Sequence, residues 1–178
     1  HGDEQFVLAF DRSTGDPLWR TAIGPAWLDG LGGPRATPTV VDGVAYALGT
    51  EGDLVALDVI TGDVRWQVHL QSDLGGFMPE PAVDYPYWRY SESPLVDGDR
   101  LIVTPGGPES LIVALDRHSG ELVWRTAIPP FGKSGVPGAG YSSAVISEAG
   151  GIRQYVQLIG YGVGGVEATT GRLLWTYG

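Results

Sequence analysis

The chain has 178 residues and a formal net charge of −10, with 21 acidic side chains against 11 Lys and Arg. This charge disfavours nucleic-acid binding, because phosphate contacts require clustered positive charge. The chain has no cysteine, which excludes disulfides, a thiol nucleophile and thiolate metal ligands. No apolar run reaches the ~18 residues of a membrane-spanning helix, so we predict no transmembrane segment.

Short apolar runs separated by turn residues predict an all-β chain. The 28 glycines and 13 prolines are numerous, and no long segment has apolar residues at helical spacing, which favours many short strands. Asp42-Gly43 is a hairpin turn signal, and Asp97-Gly98 repeats it. In chain order, we predict strands at residues 6–10, 18–23, 37–41, 44–48, 54–57, 93–96, 101–103, 111–115, 122–126, 142–146 and 155–158.

One sequence unit occurs four times and organises the whole chain. In each copy an acidic residue lies four positions before a glycine, and a tryptophan lies four positions after that glycine. The acidic side chain can accept hydrogen bonds from turn N–H groups, and glycine adopts a positive φ without steric cost. Each copy therefore predicts a hairpin whose tryptophan packs between neighbouring units and donates its N–H to a backbone carbonyl. The motif residues are Asp11, Gly15, Trp19, Asp58, Gly62, Trp66, Asp116, Gly120, Trp124, Glu167, Gly171 and Trp175.

The spacing of the four units predicts propeller blades. The motif tryptophans are 47, 58 and 51 residues apart, and four antiparallel strands in about 45–50 residues describe one blade. We predict a partial β-propeller of four-stranded antiparallel blades, about three and a half in number, with a half blade at 1–23 and full blades at about 37–70, 93–128 and 142–178. A closed propeller needs roughly four to eight blades. We expect the remaining blades in a longer parent chain, and the alternative is that copies of this chain associate.

The unit Ala-x-Asp-x-x-Thr-Gly-x-x-x-Trp resembles the tryptophan-docking motif of pyrroloquinoline-quinone-like (PQQ-like) repeats, over nearly the whole chain. Such repeats build eight-bladed propellers of two functional kinds. One kind is the quinoprotein alcohol dehydrogenases, and the other is the non-catalytic propeller lipoprotein of the bacterial outer-membrane β-barrel assembly machinery. The resemblance implies an eight-bladed ring and a bacterial periplasm or cell-envelope location. It does not indicate which of the two functions applies, because the repeat serves the packing of the blades and not catalysis.

A dehydrogenase function is the first alternative. Quinoprotein dehydrogenases use PQQ and a calcium ion held by Glu, Asn and Asp side chains, and calcium prefers such oxygen ligands. This chain has no asparagine and no cysteine, although it has Trp88 as a stacking surface and Glu92 as a carboxylate. The resemblance therefore implies PQQ and calcium only under the dehydrogenase reading. Otherwise we predict no cofactor, no metal ligand and no catalytic residue in this segment.

Irregular aromatic residues concentrate in loops that a propeller places on one face. Loops that join each outermost strand to the next innermost strand share this face with loops between the second and third strands. The first set is 24–36, 71–92 and 129–141, and the second set is 49–53, 104–110 and 160–165. Aromatic residues and arginine are enriched at binding surfaces. The candidate partner-binding residues are Arg35, Tyr87, Trp88, Arg89, Tyr90, Glu92 and Tyr141.

The favoured function is therefore a non-catalytic scaffold that binds a protein or peptide partner through this loop face. Loops on a rigid framework commonly carry function. The same aromatic residues could instead pack the loops or fill the propeller channel. A second alternative is a purely structural repeat module of a larger protein, with neither a partner nor a cofactor.

Overall fold

The structure is a computed structural model that describes residues 2–28, 33–78, 89–131 and 138–178. These ranges contain fourteen strands and one short 3-10 turn at Ala149–Gly151. The strands are β1 Glu4–Phe10, β2 Pro17–Pro25, β3 Thr39–Val41, β4 Val44–Leu48, β5 Asp53–Asp58, β6 Val64–His69, β7 Leu95–Asp97, β8 Arg100–Val103, β9 Ile112–Asp116, β10 Leu122–Thr126, β11 Val145–Ser147, β12 Gln154–Ile159, β13 Gly162–Glu167 and β14 Leu173–Tyr177.

The strands form four separate antiparallel sheets. Strands β1 and β2 pair with each other as blade 1, a two-stranded sheet. Blade 2 (β3–β6), blade 3 (β7–β10) and blade 4 (β11–β14) are four-stranded sheets in which each strand pairs with the next along the chain. Four-stranded antiparallel sheets repeated in this way are propeller blades. The prediction of an all-β chain that forms part of a β-propeller is therefore confirmed.

The middle strands are buried on both faces, because adjacent blades pack face to face. All residues of β4 are buried, as are all but the last residue of β5. In β8, Leu101 and Val103 join the apolar cluster with blade 2, whereas Ile102 joins the cluster with blade 4. Since side chains alternate across a strand, each middle strand needs apolar residues at successive positions. This explains the continuous apolar runs of the sequence.

The acidic residue of the repeat closes its own turn. The Asp116 Oδ1 atom accepts hydrogen bonds from the His118 and Ser119 N–H groups, both at 2.9 Å. Asp11 and Asp58 make the same pair of backbone contacts in their turns. The Ser119 N–H contributes most to holding the pKa of Asp116 below its ordinary value, since it stabilises the charged carboxylate. In these three copies the acidic side chain therefore holds the turn through hydrogen bonds within the turn itself.

The glycine of the second, third and fourth repeats contacts the tryptophan ring of the preceding blade. The Trp66 Nε1 group donates to the Arg117 carbonyl at 3.0 Å. A Cβ added at Gly120 would lie only 2.9 Å from the Trp66 ring, so the ring needs glycine at this position. Equivalent ring contacts and Nε1 hydrogen bonds join Trp19 to Gly62 and Val59, and Trp124 to Gly171 and Ala168.

The glycine of the first repeat, Gly15, and the tryptophan of the last repeat, Trp175, do not take part in such a contact among the described residues. No described atom lies within 4 Å of a Cβ placed at Gly15. Trp175 is 39% exposed, and its Nε1 donates to the Gln154 side chain at 2.6 Å. Gly15 and Gly120 nevertheless have nearly equal φ angles of +79° and +77°. Among the described residues, the turn has nearly the same φ whether or not a tryptophan ring lies on its glycine.

A second set of hydrogen bonds joins the blades at the starts of their innermost strands. The Thr37 N–H donates to Ser93 Oγ at 3.0 Å, and the Ser93 N–H donates to Ser143 Oγ at 2.8 Å. These three residues lie two residues ahead of β3, β7 and β11. Successive blades are thus held together at their inner as well as their outer strands.

Candidate functional site

The two predicted sets of loops contact one another on the same face. The Tyr90 N–H donates to the Thr50 carbonyl at 3.1 Å, which joins the loop before β7 to the loop of blade 2. The Phe77 N–H donates to the Pro105 carbonyl at 3.0 Å, which joins the same long segment to the loop of blade 3. Backbone hydrogen bonds therefore bind these loops into one surface, which we call the loop face.

Arg35 and Tyr141, two predicted partner-binding residues, meet on the loop face although they are 106 positions apart. Arg35 Nη1 donates to Tyr141 Oη at 2.7 Å. The guanidinium carbon lies 4.6 Å from the ring centroid of Trp27 and 5.5 Å from that of Tyr141. A cation within about 6 Å of a ring face is attracted by it. We call these three residues the Arg35 cluster; its Tyr141 side is 40% exposed.

An open apolar pocket of about 420 Å³ lies between the loops of blades 3 and 4. The Phe77 and Tyr161 rings form part of its wall, and Tyr161 packs against Phe131 with ring centroids 5.9 Å apart. A volume in the range of about 300–1,000 Å³ is typical of ligand pockets, so it can hold a large apolar side chain. The remaining wall residues are Gly107, Pro108, Glu109, Leu111, Ala127, Ile128, Pro129 and Pro130.

Tyr90, a predicted partner-binding residue, is buried rather than exposed on the loop face. It is 2% exposed, and its hydroxyl donates to the Pro105 carbonyl at 2.8 Å. Its ring packs on Gly52, where a Cβ would lie 3.0 Å away. Burial raises the pKa of Tyr90, so the hydroxyl keeps its proton and remains a donor. The structure corrects its role to a buried link between blades 2 and 3.

Glu92 is likewise corrected from a surface residue to an interior one, with 1% exposure. Thr104 donates its N–H to one carboxylate oxygen and its hydroxyl to the other, the second at 2.8 Å. The Gln157 side-chain amide of blade 4 lies 3.4 Å from the carboxylate. Burial raises the pKa of Glu92 to about 7, and the Thr104 donors offset only part of that effect. Glu92 is therefore a titratable buried link between blades 3 and 4.

The surroundings of Glu92 do not suit a calcium ligand. Calcium requires about six to eight oxygen ligands, whereas both carboxylate oxygens of Glu92 face N–H, hydroxyl and amide donors. Across the described ranges, no group of three or more His, Asp or Glu residues could hold a metal ion. Glu92 therefore has no carboxylate oxygen left open for a calcium ion.

Arg89 is tied to the loop of blade 2. Its Nη1 lies 2.8 Å from Glu51 Oε2 and 3.3 Å from the Met78 sulfur, and the side chain is 25% exposed. This ion pair holds the end of the long loop before β7 in place. The other two predicted partner-binding residues, Tyr87 and Trp88, lie outside the described residues.

Sequence reasoning missed Tyr161 and Glu51. Tyr161 lies between Gly160 and Gly162 in the turn from β12 to β13, and an aromatic residue between two glycines of a tight turn is a signal that could have identified it. Glu51 carried no signal, because its partner Arg89 is 38 positions away.

The described ranges contain no helix that is long and apolar enough to cross a membrane.

Antiparallel blades joined by a repeated tryptophan-on-glycine contact define a β-propeller of the PQQ-like class. The chain belongs to the family of the outer membrane protein assembly factor BamB, whose pattern matches residues 3–178. The BamB of Salmonella typhimurium is 31% identical over 127 residues, which are 69% of this chain and 27% of that protein. The quinohemoprotein alcohol dehydrogenase ADH IIB of Pseudomonas putida is 27% identical over 172 residues, 88% of this chain and 22% of that protein. The chain thus spans about a quarter of these relatives.

Solved structures of both kinds of relative share the fold. BamB from Moraxella catarrhalis superposes with a TM-score of 0.59 at 21% identity, over 97% of this chain and 46% of that one. The quinohemoprotein alcohol dehydrogenase ADHIIG from Pseudomonas putida superposes with a TM-score of 0.63 at 19% identity, over 99% of this chain and 31% of that one. At such identities the superpositions establish the fold alone.

Proposed function

We propose that the protein is a non-catalytic scaffold that binds a protein or peptide segment through its loop face, in a bacterial cell envelope. The observation that carries the proposal is the open apolar pocket between the loops of blades 3 and 4. Membership of a family named for outer-membrane protein assembly supports the cellular setting.

The pocket suits an anchor side chain of a bound segment. Phe77 remains 39% exposed at its wall, and prolines 108, 129 and 130 present apolar surface with no backbone N–H to satisfy. Burying one large apolar side chain contributes about 1.5–3 kcal/mol. Because Leu111 and Ile128 are buried in the blades beneath, the pocket rests on a rigid base, and little conformational entropy is lost when it is filled.

Filling the pocket with a side chain of the protein itself tests the proposal. Ala127 is an exposed wall residue, so Ala127→Trp adds a ring at the pocket without removing an existing contact. Ala149, exposed in the turn between β11 and β12 at the opposite end of the strands, provides the matched control Ala149→Trp. Peptides would be selected from a random displayed library on the full-length protein, and their affinities measured for all three proteins.

We expect the selected peptides to share a large apolar residue. Ala127→Trp should weaken their binding by about tenfold or more, as loss of one buried side chain implies, and Ala149→Trp should leave it unchanged. Equal affinities for the Ala127→Trp variant and the wild type would overturn the pocket as the binding site.

The second candidate function is a PQQ- and calcium-dependent alcohol dehydrogenase. The observation that favours it is the 27% identity to a quinohemoprotein alcohol dehydrogenase over 88% of this chain. Titrating the full-length protein with calcium and PQQ tests it. A saturable rise in melting temperature together with alcohol-dependent dye reduction would support the dehydrogenase, and absence of both would reject it. A purely structural module would show neither this response nor peptide binding.

A further inference from the structure

We propose that the Arg35 cluster is a carboxylate-binding subsite of the loop face. It takes the carboxylate of an acidic side chain or of the chain terminus in the segment that the scaffold binds. The inference rests on the proposed function and deepens it by naming the chemistry of one part of the partner.

Among the described residues, no carboxylate neutralises the charge of Arg35, whose guanidinium is held by Tyr141 and Trp27. On the loop face, Arg89 pairs with a carboxylate at 2.8 Å, whereas Arg35 takes part in no ion pair among the described residues. Its contacts within the described ranges are the hydroxyl of Tyr141 and two aromatic rings. The cluster therefore presents a positive charge to the surroundings of the loop face.

The geometry of the cluster prepares the guanidinium group for a planar anion. A guanidinium has five N–H donors in one plane, and the described residues use one nitrogen of Arg35, in the bond to Tyr141. The rings of Trp27 and Tyr141 restrict where this plane can lie. A carboxylate can accept two parallel N–H bonds from such a group. Since the arginine is already held, less side-chain entropy is lost on binding.

The surrounding charge selects a single carboxylate rather than a polyanion. Nucleic acids and other phosphate polymers need several basic residues side by side, and the chain as a whole carries a net charge of −10. That net charge repels strongly acidic partners. One carboxylate on an otherwise neutral or basic segment meets both conditions. The subsite would thus orient a bound segment whose apolar residue enters the pocket.

Four synthetic peptides with one common apolar core test this inference. The first has a free C-terminal carboxylate, the second an amidated C-terminus, the third an internal Asp with an amidated end, and the fourth Asn in place of that Asp. Binding to the ¹⁵N-labelled full-length protein would be followed at low salt by the side-chain NMR signals of Arg35 and the indole signal of Trp27. The variants are Arg35→Gln, Arg35→Lys and the control Arg12→Gln, which removes one charge in the turn between β1 and β2 at the opposite end of the strands.

We expect at least one carboxylate peptide to bind about tenfold or more tightly than its amide counterpart, as hydrogen bonds to charged groups imply. The arm that shows the preference identifies the terminus or the acidic side chain as the source. Arg35→Gln should abolish the preference, Arg35→Lys should retain only part of it, and Arg12→Gln should leave it unchanged. Equal binding of carboxylate and amide peptides to the wild type, or an intact preference in Arg35→Gln, would overturn the inference.

Failure of the subsite and failure of the scaffold function give different results. If neutral peptides bind and Ala127→Trp weakens them, but carboxylates bring no gain, the scaffold function stands and the subsite is rejected. If Arg35→Gln lowers the melting temperature but leaves the carboxylate preference unchanged, Arg35 only links blades 2 and 4. Signals that shift with carboxylates while Ala127→Trp binds normally would support the subsite and reject the pocket.

Discussion

The blade junctions and the loop face are built in opposite ways. At the junctions one contact occurs three times, from the same motif positions each time: a tryptophan lies on a glycine and donates to the carbonyl of the residue after the acidic one. On the loop face each described contact is different, as in Arg35 with Tyr141 and Arg89 with Glu51. The repeat thus supplies stability, whereas the non-repeating loops can vary and are free to carry binding.

The largest expected effect tests the junctions directly. Trp124 is 9% exposed and stacks on Tyr155 with ring centroids 6.2 Å apart. Trp124→Ala should lower the free energy of unfolding by about 3–5 kcal/mol, as for other buried tryptophans. Val123→Ala, at the neighbouring and exposed position of the same strand, should cost clearly less. Urea unfolding of both variants measures the difference, and equal losses would contradict a stabilising role of the junction.

Glu92→Gln tests whether the buried carboxyl group beneath the loop face contributes to the free energy of unfolding, as the blade junctions do. The pKa of Glu92 is about 7 in the folded protein against an ordinary 4.5. The folded state therefore prefers the protonated acid. Protonated Glu92 contributes its full share to the free energy of unfolding below about pH 4.5, and this share is lost as the pH rises through 7. The total loss is about 3 kcal/mol. The neutral Gln variant should lack that loss. Unfolding free energies of both proteins from pH 4 to 8 would test it, and parallel profiles would count against it.

Two glycine substitutions separate the turn from the junction. Gly43→Ala, in the turn between β3 and β4 with no described atom within 4 Å of an added Cβ, should cost about 1 kcal/mol, because alanine is strained at a φ of +76°. Gly120→Ala imposes the same strain and also places a methyl group 2.9 Å from the Trp66 ring, so it should cost about 2 kcal/mol more. Thermal unfolding gives both values. Identical shifts in melting temperature would mean that the ring contact contributes nothing.

The smallest effect is expected at the inner strands. Ser93→Ala leaves the Thr37 N–H without its 3.0 Å acceptor and should cost about 1 kcal/mol. Ser93→Thr keeps a hydroxyl, as Thr37 does in blade 2, and should restore most of the loss. Unfolding in urea compares the two variants. If threonine fails to rescue, the hydroxyl is not what the position requires.

The strands of the repeat could be predicted closely from the sequence, and the innermost strands less so. Residues 44–48 and 122–126 are strands with the predicted bounds. By contrast, a strand predicted at 142–146 is observed at Val145–Ser147. The physical reason is that Ser142 and Ser143 use their side chains in hydrogen bonds between strands and blades, so the ladder begins later. Sequence periodicity does not reveal this competition.

The residue types of the candidate site could be predicted from the composition of the loops, but the contacts between those residues could not. Arg35 and Tyr141 were selected as an arginine and an aromatic residue in loops of one face, and their hydrogen bond appears only in the folded chain. Tyr90 and Glu92 belong to a loop of the same face and were predicted to bind a partner, yet both are buried. Loop composition does not report which side chains a neighbouring blade covers, because that cover comes from residues such as Gln157, far along the chain.

The sequence alone accounts for the repeating hairpins, since their turns depend on hydrogen bonds within four residues, such as those of Asp116 with the Ser119 and His118 N–H groups. It also determined which tryptophans and glycines would recur at fixed positions. Which loop residues are buried between blades and which remain accessible follows only from the tertiary structure. That outcome depends on how successive blades are rotated and packed, and small local conformational choices accumulate over the roughly hundred residues between Arg35 and Tyr141 before the two side chains meet.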